Sequence, residues 1–351
     1  MIEIDGSHGE GGGQILRTAL ALAGITGAPF RLVNIRKGRS KPGLQPQHLA
    51  SVRAAVAVCD ARAIGDAKGS TELLFHPGPI RGGDLALDIG TAGSATLVLQ
   101  TVIPALLFAG VPGRLRLTGG THVPWSPSFD YAEQIFAPAL ARMGGHVRLA
   151  IARHGFYPAG GGAVSMGTQP AARLRPLIVA EDGGLVRVSG TSGVGGLPLG
   201  IAERQRDAAI ALLSDRLGER VPLEIETRAV ASPTPGTFLF LRADSRNWAA
   251  GFCALGARGK RAETVGEEAA LALLSHAGGG APVDPHLADQ LVPYLAIAGG
   301  TSEFTTSCVT RHLLTNLWTV RQFLPVRYEV TGKEGEPGHV RVTGVEEARR
   351  Q

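Results

Sequence analysis

The stretch from Ile89 to Thr118 reads IGTAGSATLVLQTVIPALLFAGVPGRLRLT. Glycines and other small residues precede a long apolar segment, and alternating arginine and leucine residues follow it. The apolar segment from Ala95 to Phe108 predicts a buried helix, and the alternation from Arg114 to Thr118 predicts a strand with one buried face. This order of glycine-rich turn, helix and strand predicts an α/β fold.

The same order of elements occurs near the N-terminus. A short alternating strand at Ile2 and Ile4 leads through the glycine-rich turn 9–13 to a helix of small residues, from Gln14 to Gly24, and then to a strand at 30–35. A self-similar order of this kind predicts duplicated supersecondary units.

A third version runs from Asp289 through Gly299 and Gly300 to a helix that contains His312, and then to a strand at 326–331. Three versions at long spacing predict repeated α/β units packed around a common axis.

Residues 184–279 follow a different pattern and predict a compact αβ module inserted in the third repeat. Glycine pairs and triplets mark both of its edges. The predicted organisation is a large repeat domain over 1–183, the insert over 184–279, the closing part of the large domain over 280–340, and a C-terminal tail over 341–351.

The composition is that of an ordinary α/β protein with a mild excess of cations. The 351 residues include 35 Lys and Arg against 30 Asp and Glu, giving a formal charge of +5. This balance suits binding to a polyanion without establishing it. Three scattered cysteines favour neither a zinc cage nor a disulfide framework, and no run of roughly 18 apolar residues could span a membrane. We predict a cytoplasmic protein with no membrane partner.

One histidine lies where it could act as a nucleophile. In the segment Arg311-His312-Leu313-Leu314-Thr315-Asn316, an apolar stripe through Leu313 predicts a helix with His312 in its first turn. The free amides and positive dipole end there favour phosphate and a neutral imidazole. The alternative is a helix cap or a satisfied surface histidine.

Glu10 lies in a glycine run, Gly9 to Gly13, directly ahead of a predicted helix that carries Arg17. The spacing matches neither a P-loop nor a dinucleotide fingerprint. A carboxylate beside a phosphate site makes sense if a divalent cation bridges the two. The alternative is a solvated turn residue.

A basic loop from Arg36 to Gly43 carries four cations, including Arg39 and Lys41, with Gln47 just beyond it. Guanidinium groups match phosphate oxygens in pairs, so this loop suits a triphosphate or an RNA backbone. The alternative is a solvated charged face. Gln100, the lone amide of its apolar helix, either faces a ligand or hydrogen-bonds within the core.

Together with the segment Arg153-His-Gly-Phe-Tyr-Pro-Ala-Gly-Gly-Gly162, these motifs closely resemble the RNA 3′-terminal phosphate cyclases over nearly the whole chain. The resemblance implies three repeated α2β4 units, similar to the C-terminal domain of translation initiation factor 3 and to enolpyruvyl transferases, with a small inserted αβ domain. It also makes a homodimer a candidate assembly.

The resemblance implies ATP-dependent conversion of an RNA 3′-phosphate to a 2′,3′-cyclic phosphate, through a covalent histidine–AMP and an RNA-(3′)pp(5′)A intermediate. His312 matches the adenylylated residue and Glu10 the ligand of a divalent cation, Mg²⁺ or Mn²⁺. The matching phosphate-contacting or catalytic side chains are Arg17, Arg39 and Gln47, and the helpers at phosphate or RNA are Arg36 and Lys41.

The same resemblance implies an ATP pocket formed by Gln100, Pro127, Tyr131, His286, Leu287, Ala288, Asp289 and Gln290. Some relatives carry tyrosine where His286 stands and phenylalanine where Tyr131 stands. All are flat rings, so stacking on adenine should survive.

Three other functions compete with this interpretation. A non-catalytic RNA-binding factor of ribosome assembly would share the fold without the nucleophile, whereas His312 and the arginines favour an enzyme. An enolpyruvyl transferase would not need the 311–316 segment. A lysine-type nucleic-acid ligase would need a Lys-x-Asp-Gly motif, which the chain lacks.

Overall fold

A computed structural model describes residues 1–345. The first unit contains two helices and a four-stranded sheet in the order β1-β2-β4-β3, in which β1 and β2 are parallel and β4 is antiparallel to both neighbours. Its elements are β1 (Ile2–Asp5), α1 (Gln14–Thr26), β2 (Phe30–Val33), α2 (Pro46–Val58), β3 (Arg62–Ile64) and β4 (Leu73–His76).

The second unit repeats this arrangement with the sheet order β5-β6-β8-β7 and the same strand directions. Its second helical segment consists of three consecutive pieces: α4, then a π-helical turn over Ala132–Phe136, then α5. Its elements are β5 (Gly83–Asp88), α3 (Ala95–Leu106), β6 (Gly113–Gly119), α4 (Phe129–Tyr131), α5 (Ala137–Arg142), β7 (Val147–Arg153) and β8 (Gly162–Thr168).

The third unit starts with β9 (Ile178–Val179) and is then interrupted by the insert. Two helices of the insert pack on a sheet of order β11-β10-β12-β13 with its own apolar core. The insert consists of β10 (Leu185–Gly195), α6 (Gly200–Leu217), β11 (Leu223–Ala229), β12 (Gly236–Ser245), β13 (Ala249–Leu255) and α7 (Ala262–Gly278).

The third unit then resumes and closes with the sheet order β9-β14-β16-β15, equivalent to the first two units. Its remaining elements are α8 (Pro285–Ile297), β14 (Gly300–Thr306), α9 (Arg311–Phe323), β15 (Arg327–Val330) and β16 (Gly338–Gly344). The prediction of three repeated units of two helices and four strands is therefore confirmed, with the extra αβ module between β9 and α8.

Helices from all three units pack against one another in the centre. Helix α1 contacts α3 and α9, and α9 also contacts α8. Burial of nearly every side chain of α1 explains its small, apolar composition, because helices can approach closely only where side chains are short. This packing brings the first turns of α1 and α9 together.

The chain end differs from the predicted tail at 341–351. Residues 341–344 belong to β16, where Val342 is fully buried, so the third sheet extends into the segment that sequence alone assigns to a tail. Residues 346–351 lie outside the described part. None of the helices within residues 1–345 has the length and the apolar run needed to cross a membrane.

Candidate active site at the start of helix α9

His312 lies in the first turn of α9, where the sequence predicts it. Thr310 caps this helix, because its Oγ1 accepts a hydrogen bond of 3.0 Å from the backbone amide of Leu313. Leu313 and Leu317 are fully buried and fix the helix against the core. The imidazole therefore projects from a rigidly held helix start.

Gln14, the first residue of α1, contacts this imidazole directly. Nδ1 of His312 donates a hydrogen bond to Oε1 of Gln14. Burial, followed by the charge of Arg17, lowers the pKa of His312 below its ordinary value. The ring is therefore neutral near pH 7, with its proton on Nδ1 and a free lone pair on Nε2.

Arg17 and Asp289 both line the cavity at the histidine and interact electrostatically. Burial lowers the pKa of Arg17 to about 10, while the negative charge of Asp289 opposes that shift. Burial and the neighbouring Asp284 raise the pKa of Asp289 well above its usual range. A guanidinium held here next to the neutral imidazole suits the oxygens of a bound phosphate.

Asn316 ties three helices together at this point. Its Oδ1 accepts a hydrogen bond of 2.6 Å from Thr18 Oγ1 on α1, and its Nδ2 donates one of 2.8 Å to the Asp289 carbonyl on α8. The positions of Arg17, Asp289 and His312 are thereby linked through buried hydrogen bonds.

A cavity of about 430 Å³ opens in front of these groups. Its volume is in the roughly 300–1,000 Å³ range of small-molecule sites. Eight of the sequence-predicted site residues line it: Arg17, Gln100, Pro127, Tyr131, His286, Asp289, Gln290 and His312. Leu287 and Ala288 do not, because their side chains are fully buried in the core.

The far end of the cavity is built from α3, α4 and α8. Tyr131 donates a hydrogen bond of 2.7 Å to Asp284, the residue that caps α8, and the ring of His286 meets Tyr131 edge-on with centroids 6.5 Å apart. Gln100 donates one of 2.5 Å to Gln290. The cavity thus offers flat rings and amides, which suit a nucleobase.

Glu10 and Arg39 meet beside helix α9, and neither lines the cavity. They form an ion pair, and Nη2 of Arg39 also donates a hydrogen bond of 3.0 Å to the Glu10 carbonyl. The Glu10 amide in turn donates to Thr315 Oγ1 of α9 at 3.1 Å. Arg39 and Glu10 are therefore held close to the helix that carries His312.

Whether Glu10 can hold a divalent cation depends on which other groups coordinate the ion. Within residues 1–345, Glu10 belongs to no group of three or more protein side chains that could share a metal ion. Mg²⁺ is commonly held by one or two carboxylates together with waters and substrate phosphates. A single carboxylate beside Arg39 fits that pattern.

The other predicted phosphate ligands lie farther out. Gln47 Oε1 accepts from the Ser94 amide at 3.4 Å, which ties α2 to the start of α3. The Arg36 guanidinium donates to the carbonyls of Lys41 and Gly43 at 2.6 and 3.3 Å, so it closes its own loop. Lys41 is exposed. None of these residues lines the cavity in front of His312.

Sequence reasoning missed Gln14, Thr18, Asn316 and Trp125, all of which line the cavity. A polar side chain at the start of an otherwise apolar helix was the available signal for Gln14, and Asn316 stands in the 311–316 segment itself. Nothing local distinguishes Thr18 or Trp125.

The segment 153–162 connects the second unit to the insert through a buried aromatic contact. Phe156 is buried and contacts Phe238 of the insert with ring centroids 6.3 Å apart. A Cβ at Gly236 would lie 2.1 Å from the Phe156 ring, so only glycine fits there. The glycines and aromatic ring of this segment thus seat the insert on the second unit.

Comparison with known proteins finds relatives over nearly the whole chain. A model of the RNA 3′-terminal phosphate cyclase family matches residues 8–330. A protein named RNA 3′-terminal phosphate cyclase from Methanopyrus kandleri is 46% identical over 347 residues, 97% of this chain and 98% of its own. Its namesake from Caldivirga maquilingensis is 47% identical over 94% of each chain.

Among solved structures, the enolpyruvyl transferase NikO from Streptomyces tendae aligns with a TM-score of 0.42 and 13% identity, covering 97% of this chain and 48% of its own. A score this low does not establish a shared fold. The family model matches most of the chain, and both relatives are close to half identical over nearly their full length. The chain therefore belongs to the RNA 3′-terminal phosphate cyclase family.

Proposed function

We propose that this protein uses ATP to convert an RNA 3′-terminal phosphate into a 2′,3′-cyclic phosphate, with His312 as the residue that carries AMP. The observation that carries the proposal is the neutral His312 with Nδ1 bound to Gln14, at the mouth of a cavity lined by Arg17, Asp289 and flat rings. This arrangement leaves Nε2 free to attack phosphorus.

In the first step, the Nε2 lone pair attacks the α-phosphorus of ATP, and the bond to the β-phosphate oxygen breaks so that pyrophosphate leaves. The charges of Arg17 and Arg39 would stabilise the growing negative charge on the phosphate oxygens. Gln14 keeps the Nδ1 proton in place, so that the developing positive charge on the ring is held by a hydrogen bond. A divalent cation at Glu10 would neutralise phosphate charge.

In the second step, an oxygen of the RNA 3′-phosphate attacks the α-phosphorus of the histidine–AMP, and the P–N bond breaks to give RNA-(3′)pp(5′)A. The adjacent 2′-hydroxyl then attacks the 3′-phosphorus, loses its proton and expels AMP. This last step needs little more than position, because the nucleophile is already bonded next to the reacting group.

The test is incubation with α-labelled ATP and a divalent cation, followed by denaturing electrophoresis. We expect label on the protein that is lost in acid and kept in alkali, as for a phosphoramidate. His312→Asn keeps a polar side chain but cannot form that bond, so it should accept no label. Labelling of His312→Asn would exclude the assignment, and an unlabelled wild-type protein that still binds RNA would favour a non-catalytic RNA-binding factor.

A further inference from the structure

A second, larger cavity of about 770 Å³ lies between the second unit and the insert. The second unit contributes Pro124 and Tyr157, and the insert contributes Arg204, Arg258, Lys260 and Arg261. We call this cavity the basic groove. We propose that it holds the single-stranded body of the RNA, upstream of the 3′-phosphate. The inference rests on the proposed function, since it presumes that the 3′ end reaches His312.

The basic groove lies next to the His312 cavity. Pro124 lines the groove and the next residue, Trp125, lines the cavity, so one short segment separates the two. Strand β13 makes a second connection, because Cys253 borders the cavity and Leu255 borders the groove. In the proposed complex, an RNA strand whose end lies at His312 would pass over the 122–127 segment into the groove.

The charges of the groove favour a polyanion. Four cations and no carboxylate line it. Glu263 pairs with Arg204 and Arg261 at 3.3 and 3.5 Å, and Glu268 pairs with Lys260. Arg258 is exposed and forms no ion pair within residues 1–345. The lining thus keeps an uncompensated positive charge, as expected where phosphates bind.

Exposed rings lie along the same path. Trp125 is 98% exposed and has a φ of 58°, a left-handed conformation that is rare for a bulky residue. Tyr157, which lines the groove, is 68% exposed, whereas its neighbour Phe156 is buried. Exposed rings beside cations are the usual arrangement for single-stranded nucleic acid, because bases stack on the rings and arginines hold the backbone.

The test measures RNA binding separately from adenylylation. The probe is a 5′-fluorescein oligouridylate of about ten nucleotides with a 3′-phosphate, bound without ATP and followed by anisotropy. We expect Arg258→Ala combined with Arg261→Ala, and separately Tyr157→Ala, to weaken its binding roughly 10-fold, whereas Tyr157→Phe retains stacking and wild-type affinity. Arg216→Ala, an exposed position on α6 outside the groove, is the matched control.

A 3′-phosphorylated dinucleotide is too short to reach the groove, so its KM in the cyclisation assay should be the same for all variants. Labelling by α-labelled ATP should also be unchanged, which keeps a failure of the groove distinguishable from a failure of His312. Equal binding of the long probe by wild type and groove variants overturns the proposal and leaves the groove to another occupant, such as a protein. An equal loss for the dinucleotide also overturns it.

Discussion

At the scale of single residues, the contact between Gln14 and His312 would decide which imidazole nitrogen reacts in the proposed mechanism. Gln14 Oε1 fixes the proton on Nδ1 and leaves Nε2 available. Burial and then the charge of Arg17 also lower the pKa of His312, which keeps the imidazole ring neutral. Gln14 therefore orients the ring, whereas burial and then Arg17 keep it neutral.

We expect Gln14→Leu to slow labelling by ATP by about 10- to 100-fold, because the neutral ring can then carry its proton on either nitrogen and rotate. Gln14→Glu keeps the acceptor but adds a negative charge, which should raise the pKa of His312 and move the rise of the rate with pH to higher pH. Single-turnover labelling across a pH series measures both effects. A Gln14→Leu variant that reacts at the wild-type rate would show that other contacts orient the ring.

The ion pair of Arg39 with Glu10 leads to a prediction about charge at phosphorus. Removing the guanidinium with Arg39→Ala should cost about 2 to 4 kcal/mol of transition-state stabilisation, or roughly 30- to 1000-fold in the rate of labelling. Arg53→Ala, an exposed position on α2, is the control.

In the same assay, Glu10→Gln should weaken the dependence on divalent cation while leaving Arg39 without its partner. Wild-type labelling rates in both Arg17→Ala and Arg39→Ala would mean that neither guanidinium contacts the reacting phosphate.

At the scale of elements, the start of α2 depends on an uncharged histidine. His48 Nδ1 accepts a hydrogen bond of 3.0 Å from the Gln45 amide and so caps the helix. Burial, then the charges of Arg17 and Arg36, lower the pKa of His48 to about 3. The cap therefore requires that the ring stays neutral in the folded protein.

This shift predicts a pH dependence of stability. The unfolded chain binds a proton at His48 below about pH 6.5, whereas the folded chain does so only near pH 3. The free energy of unfolding therefore has its full value above about pH 6.5 and decreases as the pH falls. The loss should be about 2 kcal/mol at about pH 5. The free energy of urea unfolding, measured at about pH 7.5 and about pH 5, should change less in His48→Asn than in wild type. An equal change in both proteins would mean that His48 does not titrate on unfolding.

At the scale of the whole molecule, the proposed reaction separates activation from ring closure. Activation needs only the 3′-phosphate, but closure needs the 2′-hydroxyl, so an RNA with a 2′-deoxy terminal sugar should stop as the adenylylated end. An RNA ending in a 3′-hydroxyl should not react. Gel analysis of end-labelled RNA separates these products. Cyclised product from the 2′-deoxy end would rule out the mechanism.

Binding of the three RNA ends should be similar and should weaken with added salt, because most of the contact is to backbone phosphates. If RNA occupies the basic groove as proposed, the insert would contribute to that salt dependence together with the loop from Arg36 to Lys41, to which sequence alone assigns it.

The sequence by itself determined the three repeated units, the position of the insert and the place of His312 in the first turn of a helix. These features depend on local periodicity, glycine punctuation and contiguous motifs, which short stretches of chain carry without help from the rest. The C-terminal tail differs from this local reading, because the alternation at 338–344 is short and forms a strand by pairing with β14 and β15.

Only the tertiary structure decided which side chains meet. Gln14 and His312 are 298 residues apart, and the packing of α1 against α9 joins them. The same packing turns Leu287 and Ala288 into the core while Asp289 and Gln290 face the cavity. The basic groove exists only because the insert is seated on the second unit through Phe156. Such contacts depend on how whole elements pack, and no local pattern encodes them.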